Sequence, residues 1–255
     1  MGEHPPAGRR SGGSTSGVVP EGAAAGSTEA GASRAAAELR ERAYGELAGR
    51  DAVLRRLVET RGRPDPFVWE DGGRTGDDPF AALLLHIAGQ QISTRVAFVL
   101  FDRIRDAVGR MPDPAGIIGL GPERLRACGL SRAKASYMLG LAGLQEDGGI
   151  DVYGLGALDD EAALASLTAV KGLGVWTSEM FLLHQLRRKD VLPSGDVGIR
   201  RAIERAWELP GIPTVRETER RGRSWAPYRS FATALLWASL RPAAGAGAGG
   251  TGARA

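Results

Sequence analysis

The periodicity of its apolar residues most constrains what this chain can fold into. Between about residue 40 and residue 240 they recur every three to four positions, and no segment sustains a period of two. AAAELRERAYGELAGRDAVLRRLVET reads as one or two amphipathic helices, and RGRPDPFVWEDGGRTGDDP as a loop dense in Pro, Gly and Asp. Asp78-Pro79 then opens what reads as one long helix, FAALLLHIAGQQISTRVAFVLFDRIRDAV. GPERLRACG is a short helix stopped by Gly129, and Ser131 caps the next one, RAKASYMLGLAGLQ. Asp159 or Asp160 caps EAALASLTAV, and VYGLGAL before it reads as a connection. After KGLG the helical pattern resumes in VWTSEMFLLHQLRR. Asp196 opens VGIRRAIERAW, and Pro227 opens YRSFATALLWASL from a first-turn position. The fold class is therefore all-α, helices packed on helices.

The folded part is bounded by composition. Residues 1–37 are Gly, Ala, Ser and Pro with scattered charge, and 242–255 read the same way. Such segments bury too little apolar surface to offset their ordering entropy, so both are expected to be disordered. All five tryptophans lie between, so 38–241 is expected to form one domain. No apolar run approaches the roughly 18 residues of a membrane span, and no signal-peptide pattern opens the chain. A single cysteine, Cys128, excludes a disulfide framework, a thiolate zinc site and a four-cysteine iron–sulfur cluster. Three scattered histidines make no metal site, and none is expected. The expected location is cytoplasmic. The net charge of +3, with only three lysines among 33 basic residues, fits a nucleic-acid partner as well as it fits genomic base composition.

The most informative stretch is LTAVKGLGVWTSEMFLLHQLRRKDVLPSGDVGIR, residues 167–200. It pairs two helices across Lys171-Gly172-Leu173-Gly174. Glycines there permit positive φ and a close backbone approach, and free amides at the second helix start suit a phosphate. The turn by itself fits an ordinary helix–helix connection equally well.

This stretch resembles the helix–hairpin–helix and Gly/Pro-rich-loop-plus-Asp signature of the HhH-GPD DNA glycosylase superfamily. PFAALLLHIAGQQIS, LRACGLSRAKASYM and SWAPYRSFATALLW are similar to further segments of its 3-methyladenine DNA glycosylase II branch, in the same order. The resemblance covers most of 78–240. It implies a two-lobed helical fold with the active site in the cleft between the lobes. It leaves no room for the extra N-terminal β domain of some members.

By that resemblance Asp196 is the catalytic carboxylate. A fixed anion stabilises the positive charge that builds on the sugar as an N-glycosidic bond breaks, and it can orient or deprotonate water. A Gly-Asp before a helix is also an ordinary cap, and the two roles are compatible. Trp176 stands where bifunctional relatives carry a Schiff-base lysine, which implies a monofunctional enzyme without strand cleavage. The resemblance maps the base pocket onto Trp176 and Trp237, with Met180 one turn after Trp176. An electron-rich ring face attracts a cationic alkylated purine. Trp69, Trp207 and Trp225 read as core, as do His86 and His184. Gln91 is the candidate wedge that fills the gap left by a flipped base, with Gln90 and Ser93 beside it; adjacent glutamines also serve helix packing.

Phosphate contacts are expected from Gly172, Gly174 and Lys171, with Arg187, Arg188 and Lys189 nearby and Arg132, Lys134 and Arg229 as weaker candidates. The family implies no organic cofactor, although a monovalent cation sits on hairpin carbonyls in some members. The expected function is removal of alkylated purines from double-stranded DNA by a monomer that leaves an abasic site. The alternatives are a non-catalytic helix–hairpin–helix DNA-binding module and a glycosylase for deaminated or etheno bases.

Overall fold

The structure, a computed structural model, describes residues 22–242. Every regular element in that range is helical. The expectations for 1–21 and 243–255 lie outside the described residues. The described residues divide into two compact units, with the boundary between Leu39 and Arg40. Helix α1 (Gly22–Arg50) starts inside the segment that composition reads as disordered, so that reading does not extend over 22–37. The cause is local: GAAAGSTEAGASRAAAELRER is rich in Ala, Glu and Arg, the strongest helix formers.

Two lobes make up the second unit. In the first, α3 (Pro79–Gly89) is the central element. Asp78 caps it by accepting from Ala81 N–H at 2.8 Å, Pro79 occupies its first turn, and every residue from Phe80 to Ala88 is buried. A helix apolar all round must be surrounded. Here α4 (Thr94–Val108), α6 (Arg132–Glu146) and α8 (Val175–His184) surround it. α5 (Pro114–Ala127), kinked at Gly121, packs on α6, and α7 (Asp160–Thr168) on α8. Asp159 is the α7 cap, and Leu155–Ala157 form a single 3₁₀ turn in the connection before it.

The second lobe joins the end of α1 to α2 (Ala52–Arg61), α9 (Val197–Ala206), α10 (Val215–Gly222) and α11 (Arg229–Leu240). Tyr44 and Phe231 meet edge to face at 5.6 Å in its core, and Trp225 is fully buried. The core reading of Trp225 therefore holds.

Two element readings need correction, and one element, α10, was not read from the sequence. The expected single helix over 79–108 is two helices. Gln91 takes a left-handed φ of 59°, and Ser93 caps α4 by accepting from Val96 N–H. α10 has no apolar stripe for periodicity to find. Its signal is the capping box of Thr214 and Glu217. Pro227 precedes α11, whose N-cap is Tyr228, and is not in its first turn.

Candidate active site

The turn between α7 and α8 depends on Gly172. Its φ is +99°, and a Cβ there would collide with the Tyr137 ring of α6. Leu173 is buried beneath the turn, while Lys171 and Gly174 are exposed. Gly174 is the N-cap of α8 and offers no side chain to its first amides. The hairpin is also tied to the start of the α3–α4 connection. Gln90 Nε2 donates to Gly172 O at 2.8 Å and to Thr177 Oγ1 at 3.3 Å. Lys134 Nζ donates to Ala88 O at 2.7 Å and closes the end of α3.

Asp196 is carried by the segment between α8 and α9, and α11 pins that segment residue by residue. Arg229 forms a two-pronged pair with Asp190 at 2.8 and 2.9 Å. Burial works against the Asp190 charge, but the bonds from Arg229 outweigh it and hold the carboxyl below its ordinary range. Ser230 Oγ donates to Arg188 O at 2.6 Å and accepts from Val191 N–H at 2.9 Å; Thr233 Oγ1 donates to Val191 O at 3.1 Å. The Arg-Ser-x-x-Thr of α11 is thus the brace for the loop that presents the aspartate.

The two oxygens of Asp196 serve different neighbours. Oδ1 accepts from Ile199 N–H at 2.9 Å and caps α9, while Oδ2 accepts from Trp176 Nε1–H at 2.9 Å. An ionised carboxylate has about four acceptor positions, so capping leaves capacity for a water. The cap and the chemistry coexist in one side chain. Glu179, one turn along α8 from Trp176, is pushed up to about 7 by burial, then by Glu219 and Asp196. Below that pH its proton limits the negative charge gathered beside Asp196.

Beside Trp176 opens a cleft of about 180 Å³. Trp176 and Met180 of α8 form one wall; Phe98 of α4, His86 of α3, Trp69 and His184 are among the others. That volume lies below the roughly 300 Å³ of drug-sized pockets and suits a small planar group. Trp69 and His86 stack face to face, 4.5 Å between centroids and 3° between planes. Both were expected in the core, and neither periodicity nor motif marks them as cleft residues. Trp237 does not line this cleft. It borders the adjoining groove with His184, and a methyl at Gly198 would lie 3.8 Å from its ring and 2.9 Å from Asp196 Oδ1.

Among the expected DNA contacts, Gln91 is exposed at a left-handed turn beside the cleft residue Ile92. Gln90 is committed to the hairpin and cannot also serve as a wedge. Lys134 and Arg229 are occupied as described. Arg188 donates to Gly156 O and Leu158 O and pairs with Asp160, so it too is structural. No group of three or more His, Cys, Asp or Glu among the described residues is arranged for a metal ion. No described helix is long and apolar enough to cross a membrane.

The chain is similar to known proteins in sequence and in fold. The chain is 31% identical over 194 residues to DNA-3-methyladenine glycosylase 1 of Schizosaccharomyces pombe, covering 75% of this chain and 83% of that protein. It is 27% identical over 170 residues to DNA-3-methyladenine glycosylase 2 of Escherichia coli, covering 63% and 57%. Among solved structures it matches the S. pombe 3-methyladenine DNA glycosylase bound to abasic DNA. The TM-score is 0.65 at 30% identity, covering 77% of this chain and 95% of that one. Residues 85–227 match the sequence model of the HhH-GPD superfamily base excision DNA repair proteins, the interval that holds the hairpin, the aspartate and most of the cleft. The chain belongs to that family.

Proposed function

We propose that this protein is a monofunctional DNA glycosylase that removes alkylated purines from double-stranded DNA. The observation that carries this reading is the bond from Trp176 Nε1–H to Asp196 Oδ2, made by an indole that also lines an aromatic cleft. It couples the group that would face the base to the group that would face the sugar.

In the proposed reaction the damaged nucleotide leaves the stack and its base enters beside Trp176 and Met180. Gln91 at its exposed turn fills the vacated space. Exposed Lys171 and the amides around Gly172 and Gly174 hold phosphate. The C1′–N bond breaks and its electron pair leaves with the base, which neutralises an alkylated cation. Asp196 stabilises the positive sugar and takes a proton from the water whose oxygen bonds C1′. The products are free base and an intact strand with an abasic site. No amine stands at position 176, the nearest lysine in sequence, Lys171, lies on the exposed hairpin, and Lys134 Nζ is bonded to Ala88 O, so no imine route to strand cleavage is proposed. The reaction needs only water, and one copy of the chain supplies every group named, so the enzyme is proposed to act as a monomer where the DNA is. A module that only bound damage would gain nothing from a carboxylate bonded to a cleft residue.

The test is to incubate the protein with methylated duplex DNA and identify released bases by mass. Release of 3-methyladenine or 7-methylguanine without strand cleavage is expected. Release of only uracil, hypoxanthine or ethenoadenine from a parallel panel would overturn the alkylpurine assignment.

A further inference from the structure

We propose that His86 is a specificity-determining residue of the cleft: its imidazole hydrogen-bonds the edge of the extrahelical base while Trp69 fixes the plane of the ring. The proposal rests on the glycosylase reading above and adds a residue to it.

His86 is out of place on its helix. Its neighbours from Phe80 to Ala88 are all apolar, and its own side chain is only 9% exposed. A histidine in a core ordinarily satisfies both ring nitrogens. Here Nε2 is buried with no hydrogen-bond partner among the described residues. A buried polar atom without a partner is destabilising, and Leu or Phe at this position would avoid that cost. The ring also borders the cleft and is held flat against Trp69. The cleft is therefore the place from which a bound group would supply the missing partner.

The chemistry of the site fits a cationic purine. Burial, and then the neighbouring His184, lower the His86 pKa to about 3; burial lowers that of His184 to about 4. Both rings are neutral at physiological pH and do not repel a cationic base. A neutral imidazole offers one donor and one acceptor, and a purine edge presents both kinds of group. Adenine and guanine derivatives differ at that edge in the exocyclic amino and carbonyl groups. A reader at this position therefore discriminates between alkylated bases, whereas stacking alone attracts any of them.

The experiment compares wild type, His86→Phe and His86→Asn. Phe keeps a flat ring against Trp69 and removes the nitrogens; Asn restores a donor and an acceptor. Single-turnover release of 3-methyladenine and 7-methylguanine is measured from the same methylated duplex, beside affinity for an abasic duplex. Histidine ring-nitrogen NMR of wild type is recorded during titration with free 3-methyladenine. His86→Phe is expected to change the ratio of the two release rates about fivefold, with abasic affinity unchanged and partial return in His86→Asn. The His86 nitrogen resonances are expected to move on titration. An unchanged ratio in folded His86→Phe, or resonances that stay fixed at saturating base, overturns the proposal. If wild type releases neither purine, the alkylpurine reading fails, while the titration still decides whether His86 contacts a base. If His86→Phe does not fold, the Asn variant and the titration decide.

Discussion

Trp176 and Asp196 are useful to each other at the scale of single residues because each leaves its main surface free. The indole gives its one N–H to Oδ2 and keeps its ring face for the cleft; it remains 41% exposed. Trp176→Phe separates those roles. It should slow base release about tenfold by freeing the carboxylate, with abasic-DNA affinity nearly unchanged. Equal rates for Phe and Trp would show that the N–H does not orient Asp196. The buried histidines give a pH signature. His86 takes up a proton more readily unfolded than folded, with pKa about 6.5 against about 3. Its contribution to stability is complete above pH 6.5 and is lost as pH falls toward 3. Glu179 acts oppositely: its folded pKa is about 7 against an ordinary 4.5, so its contribution is complete below pH 4.5 and lost as pH rises to 7. Only a difference between variants isolates His86. Between pH 7 and pH 5, wild type should lose about 2 kcal/mol more than His86→Phe in urea unfolding. Parallel losses in the two proteins would contradict a neutral buried ring.

At the scale of elements, the site depends on where helices stop. The α3–α4 break puts Gln91 on an exposed turn, and the same break lets Gln90 reach back to the hairpin. Gly172→Ala strikes that junction, because it adds a methyl into the Tyr137 ring at a left-handed φ. It should cost roughly 1–3 kcal/mol and weaken binding to any duplex, damaged or not. Unaltered binding would remove the hairpin from the DNA interface. Helix types and most caps were legible in sequence: Asp78, Ser131, Asp159 and Asp196 all cap where their residue type suggests. The α3–α4 break was not, because LLLHIAGQQISTRVAFVLF keeps its apolar content through the turn and only Gly89 and Ser93 mark it. Nor was α10 found by periodicity, since Val215 is its one apolar side chain and its cap carries the information.

Across the whole molecule, the second lobe contributes to the site through the brace on the 188–196 segment. Ser230 is wholly buried, and its hydroxyl both donates to Arg188 O and accepts from Val191 N–H. Ser230→Ala should cost about 1–3 kcal/mol and lower kcat more than it raises KM, since it loosens the aspartate and touches no DNA contact. A loss confined to stability would limit the brace to folding. Long-range pairings of this kind explain what sequence left open. Motif order located Asp196, Trp176 and Met180, whereas Trp69 enters the cleft from a loop more than 100 residues away in the chain, and no local pattern joins it to them. Arg188, Lys134 and Arg229 read as phosphate ligands for the same reason: their partners are distant in sequence. The most direct test of the account is Asp196→Asn. Asn caps a helix about as well as Asp, so stability should stay within about 1 kcal/mol and abasic-DNA affinity should be retained. Single-turnover release of methylated purines should fall roughly a hundredfold or more. Release at the wild-type rate would show that Asp196 is only the cap of α9, and the catalytic account would fail.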